Sequence, residues 1–372
     1  MTTPMGESDV ATPLGMGLVG AGGFGTFCLQ AFAEMREVSV VAVADRDLER
    51  AAAIAPPGAA VYGDLATLLA DPAVDIVHIA TPPAQHGAQA RQAAEAGKHL
   101  FVEKPLAISL DEARNVVRAA RRAGVKLSVN YVLRWHPLHQ LAAALVHAAA
   151  LGPLQLFSLE NFATDDRLPP EHWFWDPAQS GGIHVEHGVH FFDLCNHLAG
   201  QSPTAVSGSA QRRDDGRLDR VAATVIYGDR LLATFYHSFN QIGRFERTTI
   251  RLGCARGRLQ LDGWIPTRLS VDGVVDENGL AFFRHHFRDL SIDERFSGAQ
   301  SIFHHGGIAE KLVASVRATA TYSRRQLAYK EAIQAGLRDL VNAIYTGGPP
   351  TIGPPDALLS LAVAVAASRP HS

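Results

Sequence analysis

A glycine loop between an apolar run and a helical pattern is the feature that most limits the fold of this chain. The apolar run ends at Val19, and the loop follows as Gly-Ala-Gly-Gly-Phe-Gly over residues 20–25. After a strand and before a helix, Gly20 permits a tight turn, Gly22 lets a pyrophosphate approach the backbone, and Gly25 permits close helix–strand packing. The free N–H groups of the following helix then point toward the phosphates. The pattern predicts a dinucleotide-binding loop.

A second apolar run ends at an acidic residue. Residues 38–44 have the pattern of a buried strand, and Asp45 follows at about the position of a ribose-binding acid. A carboxylate there accepts hydrogen bonds from ribose hydroxyls and repels a 2′-phosphate, which favours NAD. Arg46 follows directly and could bind such a phosphate, so NADP stays open. The glycines and Asp45 alone also fit a fold that binds FAD or a methyl donor.

Strands and helices continue to alternate up to residue 130. Short apolar runs predict further strands, and Ala-rich or amphipathic stretches between them predict helices. The strands are predicted at residues 61–62, 75–80, 99–102 and 125–130, and the main helices at residues 85–96 and 110–123. This alternation is typical of a parallel, doubly wound sheet of the α/β class.

The strand at residues 99–102 ends in Glu103-Lys104-Pro105. A lysine at this point lies at the carboxyl end of a strand, where open α/β sheets bind ligands. Taken alone, Lys104 is better explained as a solvated loop residue, because most lysines lie at the surface. A catalytic interpretation depends on what the rest of the chain supplies.

The pattern changes after residue 135. Alternating runs over residues 154–160, 205–210, 221–227, 231–237, 248–252 and 258–261 predict a large, mostly antiparallel sheet. We therefore predict a flexible lead-in at residues 1–14, a nucleotide-binding domain at 15–135 and a substrate-binding and oligomerisation domain at 136–372. Residues 279–325 contain two histidine pairs and fit a lid, an interface arm or extra strands.

A polar constellation precedes the antiparallel strands. In a helix that begins near Gly182, Glu186 and His190 share a face, and Asp193 can lie on the same side. An imidazole with a carboxylate one turn away suits a general base and its orienting partner.

This constellation has two other interpretations. His184, Glu186, His187 and His190 could together ligate zinc. No HExxH motif is present, and we predict no metal. An ordinary core or interface helix is the third interpretation, and it is the better one for His187 alone.

Composition excludes several classes of protein. A formal net charge of −3 gives no reason to expect a nucleic-acid or membrane-surface partner. The three cysteines are far apart and lack CxxC spacing, which fits a reducing compartment. The N-terminal segment has neither the basic start nor the apolar core of a signal peptide, and no apolar run approaches the length of a membrane span. We predict a cytoplasmic protein.

Several segments together resemble the Gfo/Idh/MocA oxidoreductase family, which includes inositol dehydrogenases and glucose–fructose oxidoreductases. They are GLVGAGGFG, VAVADRD, DIVHIATPPAQHGAQARQAAEAGKHLFVEKP, SGGIHVEHGVHFFDL and YKEAIQAGLRDLVNAI, between about residues 17 and 344. The resemblance implies a Rossmann domain followed by a C-terminal domain whose open sheet commonly builds homodimers or homotetramers.

The resemblance also implies roles for particular residues. Lys104 would contact the substrate and the nicotinamide region, and His190 would accept the proton. Glu186 stands where the family commonly has aspartate, so its carboxylate is displaced. The implied cofactor-binding residues are Gly20, Gly22, Gly23, Phe24, Gly25, Asp45, Arg46, Thr81, Pro82, His86, Glu103 and Lys104. The implied substrate-binding residues are Lys104, Arg134, Trp173, Trp175, Glu186 and His190, with core packing as the alternative for the two tryptophans and the cofactor as the alternative partner of Arg134.

The expected activity is NAD(P)-dependent hydride transfer to or from a secondary alcohol or ketone of a sugar, cyclitol or related polyol. One alternative is an NAD-dependent enzyme that cleaves a glycosidic bond through transient oxidation of the sugar. It would release an aglycone without net NADH. A second alternative is a nucleotide-binding regulator without turnover, and the presence of Lys104, Glu186 and His190 argues against it.

Overall fold

The glycine loop connects the first strand to the first helix of a parallel sheet. The computed structural model describes residues 12–369, so most of the predicted lead-in, at residues 1–11, lies outside the described residues. The strands of this sheet are β1 (Leu14–Val19), β2 (Val38–Ala44), β3 (Ala60–Tyr62), β4 (Ile76–Ile79), β5 (His99–Val102) and β6 (Leu127–Val129). Its helices are α1 (Gly23–Phe32), α2 (Leu48–Ile54), α3 (Leu65–Ala70), α4 (Pro83–Glu95) and α5 (Leu110–Ala123).

The six strands run in the order β3-β2-β1-β4-β5-β6, and every neighbouring pair is parallel. All four residues of β4 are buried, as expected for a strand covered by helices on both faces. The strand order reverses between β1 and β4, which is where doubly wound sheets bind ligands outside the carboxyl ends of the strands. The predicted doubly wound sheet is confirmed.

A second sheet contains nine strands and is almost entirely antiparallel, as predicted. Its strands are β7 (Leu154–Ala163), β8 (Ala205–Arg212), β9 (Leu218–Tyr227), β10 (Leu231–Phe239), β11 (Arg247–Cys254), β12 (Gly257–Asp262), β13 (Arg268–Val275), β14 (Asp289–Arg295) and β17 (Ala314–Thr321). Their order is β14-β17-β13-β12-β11-β7-β10-β9-β8, and the pair of β7 and β10 is parallel. Buried and partly exposed residues alternate along β9, so one face of that strand packs inward.

The region predicted to be a lid, an arm or extra strands contains extra strands. Both β14 and β17 extend the nine-stranded sheet, whereas β15 (Ile302–His305) and β16 (Ile308–Lys311) form a separate hairpin. The remaining helices are α6 (Pro137–His147), α7 (Pro177–Ser180), α8 (Val189–Ala199), α9 (Glu277–His286), α10 (Arg325–Thr346) and α11 (Pro354–Ala367).

Contacts divide the chain into two compact units. The first unit comprises the described residues up to Ala107 together with Asp111–Asn130 and Ile333–Ala357. The second comprises Ile108–Leu110, Tyr131–Ala332 and the described residues from Leu358 onward.

Residues 333–357 therefore depart from the predicted domain division, which placed all of residues 136–372 in the second domain. Gln334 Nε2 donates to the Ala31 carbonyl at 2.7 Å, and Arg338 Nε lies 2.6 Å from a Glu37 carboxylate oxygen. Helical periodicity predicts that this segment is a helix, but it does not indicate which domain the helix packs against.

None of the helices formed by residues 12–369 is long and apolar enough to cross a membrane.

Candidate active site

The glycine loop in the first unit has the geometry of a phosphate cradle. Gly20 has φ 99°, a left-handed conformation that favours glycine. A Cβ on Gly25 would lie 2.0 Å from the Gly20 carbonyl oxygen, so only glycine permits this approach of α1 to the loop. Gly22 precedes the helix, and a Cβ there would have no neighbour within 4 Å. Gly23 and the exposed Phe24 form the start of α1.

Asp45 is held beside this loop by two backbone groups. Its Oδ2 accepts a hydrogen bond from the Ala21 N–H at 2.8 Å, and its Oδ1 accepts one from the Asp47 N–H at 2.9 Å. The carboxylate is thereby fixed between the end of β2 and the turn after β1. Arg46 follows it with an exposed side chain.

The segment after β5 is held in place by a buried histidine. His86 Nδ1 lies 2.7 Å from the Pro105 carbonyl oxygen, and His86 Nε2 lies 2.6 Å from the Thr81 carbonyl oxygen. His86 therefore holds the segments that follow β4 and β5 together, and its contact with a cofactor stays a prediction. Pro82 begins the turn into α4, and the Thr81 hydroxyl donates to Gln89 Oε1 at 2.6 Å.

Glu103 is buried directly before the half-buried Lys104. Its Oε1 accepts a hydrogen bond from Asn130 Nδ2 at 2.8 Å. Burial raises the pKa of Glu103 to about 7, although the Asn130 hydrogen bond and the Lys104 charge oppose this shift. The buried Glu103 side chain interacts electrostatically with Lys104 and exposes little surface to a cofactor.

In the second unit, two glycines and a π-helical turn lead to the polar constellation. Gly181 and Gly182 have φ of 78° and 86°, so the backbone reverses there in the left-handed region. One π turn, His184–Gly188, precedes α8, whereas the sequence predicts one regular helix from near Gly182. Isolated π turns occur frequently at functional sites. This turn carries the half-buried Glu186, and the first turn of α8 carries the buried His190.

Asp193 holds Arg134. Its two carboxylate oxygens accept from Arg134 Nε at 2.7 Å and Arg134 Nη2 at 2.6 Å, and Oδ1 also accepts from the Ser360 hydroxyl at 3.1 Å. Asp193 therefore forms a buried, bidentate ion pair with Arg134, and the prediction that Glu186 orients the His190 imidazole stays a prediction. The same pair fixes the guanidinium of Arg134, which the sequence analysis assigned to substrate or cofactor.

Two aromatic residues that were not predicted lie around the histidines. The Trp264 ring lies 4.7 Å from that of His190 and 5.5 Å from that of His187. The fully buried His237 ring lies 5.4 Å from that of His187. His237 occupies the apolar face of β10, and a polar residue at such a position was a detectable signal. Trp264 lies in a turn with no regular pattern.

The surroundings of Trp173 and Trp175, the two tryptophans assigned to substrate binding or to core packing, include arginine and aromatic side chains. The guanidinium carbons of Arg213 and Arg217 lie 5.0 Å and 5.3 Å from the centre of the Trp175 ring, and Trp175 Nε1 donates to Leu168 O at 2.9 Å. Trp173 and Trp175 both pack against a cluster that contains Phe174. These contacts favour the packing alternative for both residues.

The candidate residues thus form three local groups. The glycine loop joins Asp45, and His86 joins the Thr81 segment to Lys104-Pro105, all in the first unit. Glu186 and His190 lie on adjoining turns in the second unit, so Lys104 and His190 belong to different units. Within residues 12–369, the ligand atoms of the His184–His190 group do not converge within 4.8 Å, whereas those of Cys28, His78 and Glu103 do.

Comparison with known protein families gives two matches in chain order. Residues 14–131 match the model of the oxidoreductase family with an NAD-binding Rossmann fold, GFO_IDH_MocA. Residues 139–260 match the GFO/IDH/MocA C-terminal domain.

Individual relatives are similar over most of their length. The chain is 27% identical to the uncharacterized oxidoreductase YrbE of Bacillus subtilis over 297 residues, 77% of this chain and 85% of that protein. It is 31% identical to D-xylose 1-dehydrogenase (NADP(+)) 2 of Haloferax volcanii over 250 residues, 63% of this chain and 74% of that protein. Among solved structures, a levoglucosan dehydrogenase in complex with NADH and levoglucosan has a TM-score of 0.75 at 20% identity, covering 95% of this chain and 96% of that one. That similarity shows a shared fold.

Proposed function

The chain belongs to the Gfo/Idh/MocA oxidoreductase family, and from this we propose that it transfers hydride between NAD and a secondary alcohol or ketone of a sugar, cyclitol or related polyol. Its residues 14–131 form the family's NAD-binding Rossmann domain. The observation that carries the proposal is the pairing of two features in one chain. One is a glycine cradle with Asp45 fixed beside it, and the other is a π turn and helix that bear Glu186 and His190.

Each of three polar residues has a distinct role in the proposed reaction. When bound, the nicotinamide supplies the hydride chemistry. His190 accepts the proton of the substrate hydroxyl on a ring nitrogen, and Glu186 orients the imidazole or a substrate hydroxyl. The Lys104 ammonium stabilises the negative charge that develops on the substrate oxygen, which is electrostatic stabilisation by a positioned cation.

We propose NAD as the preferred form of the cofactor. The Asp45 carboxylate is fixed by two backbone N–H groups, so it cannot swing away from a ribose that occupies this position. A 2′-phosphate would bring further negative charge to the same place. The exposed Arg46 favours NADP, and the relative from Haloferax volcanii carries NADP(+) in its name.

Lys104→Ala tests the proposed function. The first step is a screen of NAD and NADP reduction by the wild type across sugars, inositols and their glycosides. For the best substrate we expect Lys104→Ala to lower kcat/KM by about 100- to 1000-fold, because one charge-stabilising group is lost. The affinity for NAD, measured by titration calorimetry, stays within about twofold.

Lys311→Ala, which removes an exposed lysine from β16, is the matched control and keeps wild-type turnover. Wild-type turnover in Lys104→Ala would contradict the assignment of Lys104. Release of an aglycone without net NADH would identify the glycoside-cleaving alternative.

A further inference from the structure

We propose that Cys28, His78 and Glu103 form a buried site for a divalent transition metal, of which zinc and cobalt are the best matched, inside the nucleotide-binding unit. The three residues come from α1, from β4 and from the position directly after β5. Their side chains are buried, and their ligand atoms all lie within 4.8 Å of one another.

The distances are close to those of a metal-bound arrangement. Cys28 Sγ lies 3.9 Å from Glu103 Oε1, and His78 Nε2 lies 3.7 Å from the same oxygen. Bond lengths of about 2.3 Å to sulfur and about 2.0 Å to nitrogen or oxygen place tetrahedral ligand atoms about 3.3–3.5 Å apart. The two distances to Glu103 Oε1 therefore exceed the metal-bound values by about 0.4 Å.

The His78 ring is already held as a ligand would be. Its Nδ1 lies 3.1 Å from the Phe101 carbonyl oxygen, which can only accept, so Nδ1 carries the hydrogen. In the neutral ring Nε2 then presents a lone pair toward Glu103, and this fully buried atom has no hydrogen-bond partner among residues 12–369. Metal-binding histidines characteristically donate their other ring N–H to a carbonyl or carboxylate. A cation would satisfy the remaining lone pair.

Asn130 completes the surroundings of the cluster, because its Nδ2 donates to Glu103 Oε1 at 2.8 Å and orients the carboxyl group. Ligating carboxylates are commonly hydrogen-bonded in this way.

Electrostatics explain why a dication would be stabilised here. Burial raises the pKa of Cys28 and that of Glu103, and it lowers the pKa of His78 to about 3, so each group is driven toward its neutral form. A bound dication reverses this preference at the thiol and the carboxyl, and their protons leave to solvent as it binds. The set of one thiolate, one imidazole and one carboxylate suits zinc or cobalt better than magnesium or calcium, which prefer oxygen ligands.

The site would join three elements of the nucleotide-binding unit. The ion would tie α1, which begins in the glycine loop, to the residue that precedes Lys104. It would therefore stiffen the cofactor side of the active site without contacting substrate.

The test is metal analysis of the full-length protein after expression in medium supplemented with zinc or with cobalt. We expect about one equivalent of metal per chain after exhaustive dialysis. The cobalt form should show the near-ultraviolet sulfur-to-cobalt charge-transfer absorption of a thiolate ligand. Far less than one equivalent in both preparations, or cobalt without that absorption, would overturn the proposal.

Variants locate the ligand. Cys28→Ser should lose the charge-transfer absorption, whereas Cys195→Ser and Cys254→Ser, which alter the other two buried cysteines, should keep it. Loss in either control with retention in Cys28→Ser would place the metal elsewhere. If Cys28→Ser fails to fold, His78→Gln gives the second measurement, because loss of one nitrogen ligand should shift the cobalt spectrum and lower metal retention. An unchanged spectrum there would overturn the site.

Discussion

At the scale of single residues, the ion pair of Arg134 and Asp193 shows how burial changes the effect on stability of removing one partner. Both side chains are almost completely buried, at 8% and 1% exposure, and the ion pair is bidentate. Arg258 and Asp272 form a similar contact at 2.9 Å, but their side chains are 78% and 47% exposed. Removal of one partner from a buried pair leaves an uncompensated charge away from water, whereas exposed pairs contribute little.

Asp193→Asn should therefore destabilise the protein strongly. We expect the free energy of unfolding to fall by about 3–5 kcal/mol, because Arg134 keeps its charge and loses its counter-charge. Asp272→Asn, the exposed control, should cost less than about 1 kcal/mol. Urea unfolding of the two variants and the wild type measures both values. Similar losses in the two variants would show that Asp193 does not act through a buried ion pair.

Contacts between residues far apart in the sequence could not be predicted from the residue pattern. In the sequence, Asp193 follows His190 by three residues, which predicts that the two lie on the same side of a helix. This spacing does not predict that the carboxylate turns to an arginine far away in sequence, because helical spacing describes neighbours on one helix only. Trp264 was missed for a related reason: it lies in a turn, and its contact with His190 depends on how the sheet and α8 pack. The tight turn at Gly20 and the close helix approach at Gly25 depend on neighbouring residues and follow from the local sequence, whereas the ribose-binding role of Asp45 stays a prediction.

At the scale of elements, the nine-stranded sheet presents an apolar row on one face. Leu156 on β7, Leu232 on β10 and Ile226 on β9 lie side by side across three neighbouring strands. Each is exposed, although all three are large and apolar. Contiguous exposed apolar surface commonly marks a protein–protein contact. We propose that this row belongs to the interface of the homodimer or homotetramer expected from the sequence.

Leu232→Lys tests the apolar row. A charge at its centre should shift the protein to a smaller species in size-exclusion chromatography with light scattering, because a buried unpaired lysine opposes association. NAD binding should remain. Ile302→Lys changes an equally exposed apolar residue on the β15–β16 hairpin and should leave the assembly intact. A monomeric wild type, or an unchanged assembly in Leu232→Lys, would exclude this interface.

The sequence predicts whether a segment is a strand or a helix better than it predicts local irregularities and packing partners. Periods of two residues and of about 3.6 residues distinguish the antiparallel strands from the helices, and both sheets were expected on that basis. The π turn at His184–Gly188 was not expected, because a single wider turn does not change the spacing of apolar residues enough to be recognised. The attachment of residues 333–357 to the first unit could not be predicted from the sequence either. The pattern of an amphipathic helix predicts which face is buried, but it does not predict which element packs against that face.

At the scale of the whole molecule, buried histidines make stability depend on pH. Burial lowers the pKa of His136 and His184 from 6.5 to about 4, that of His139 to about 3, and that of His237 well below its usual value. These rings are neutral in the folded protein and become protonated in the unfolded chain below pH 6.5. Their contribution to stability is therefore fully present above pH 6.5 and is lost progressively as the pH falls toward 3.

The unfolding free energy should accordingly fall between pH 7 and pH 4. Replacement of one such histidine by a residue that does not titrate should flatten this dependence. For His139→Leu we expect the slope to decrease by up to about 1.4 kcal/mol per pH unit, the value of one proton. His304→Leu, which replaces an exposed histidine, should retain the wild-type slope. Urea unfolding across this pH range gives the slopes, and identical slopes in both variants would exclude His139 as a contributor.

The attachment of residues 333–357 to the first unit has a consequence for synthesis on the ribosome. Domains generally fold as units while the chain emerges, beginning at the N-terminus. Here the nucleotide-binding unit remains incomplete while residues 131–332 are translated, because Gln334 and Arg338, the partners of Ala31 and Glu37, emerge only afterwards. The surface around Ala31 and Glu37 on the nascent unit thus stays uncovered until residues 333–357 have left the ribosome.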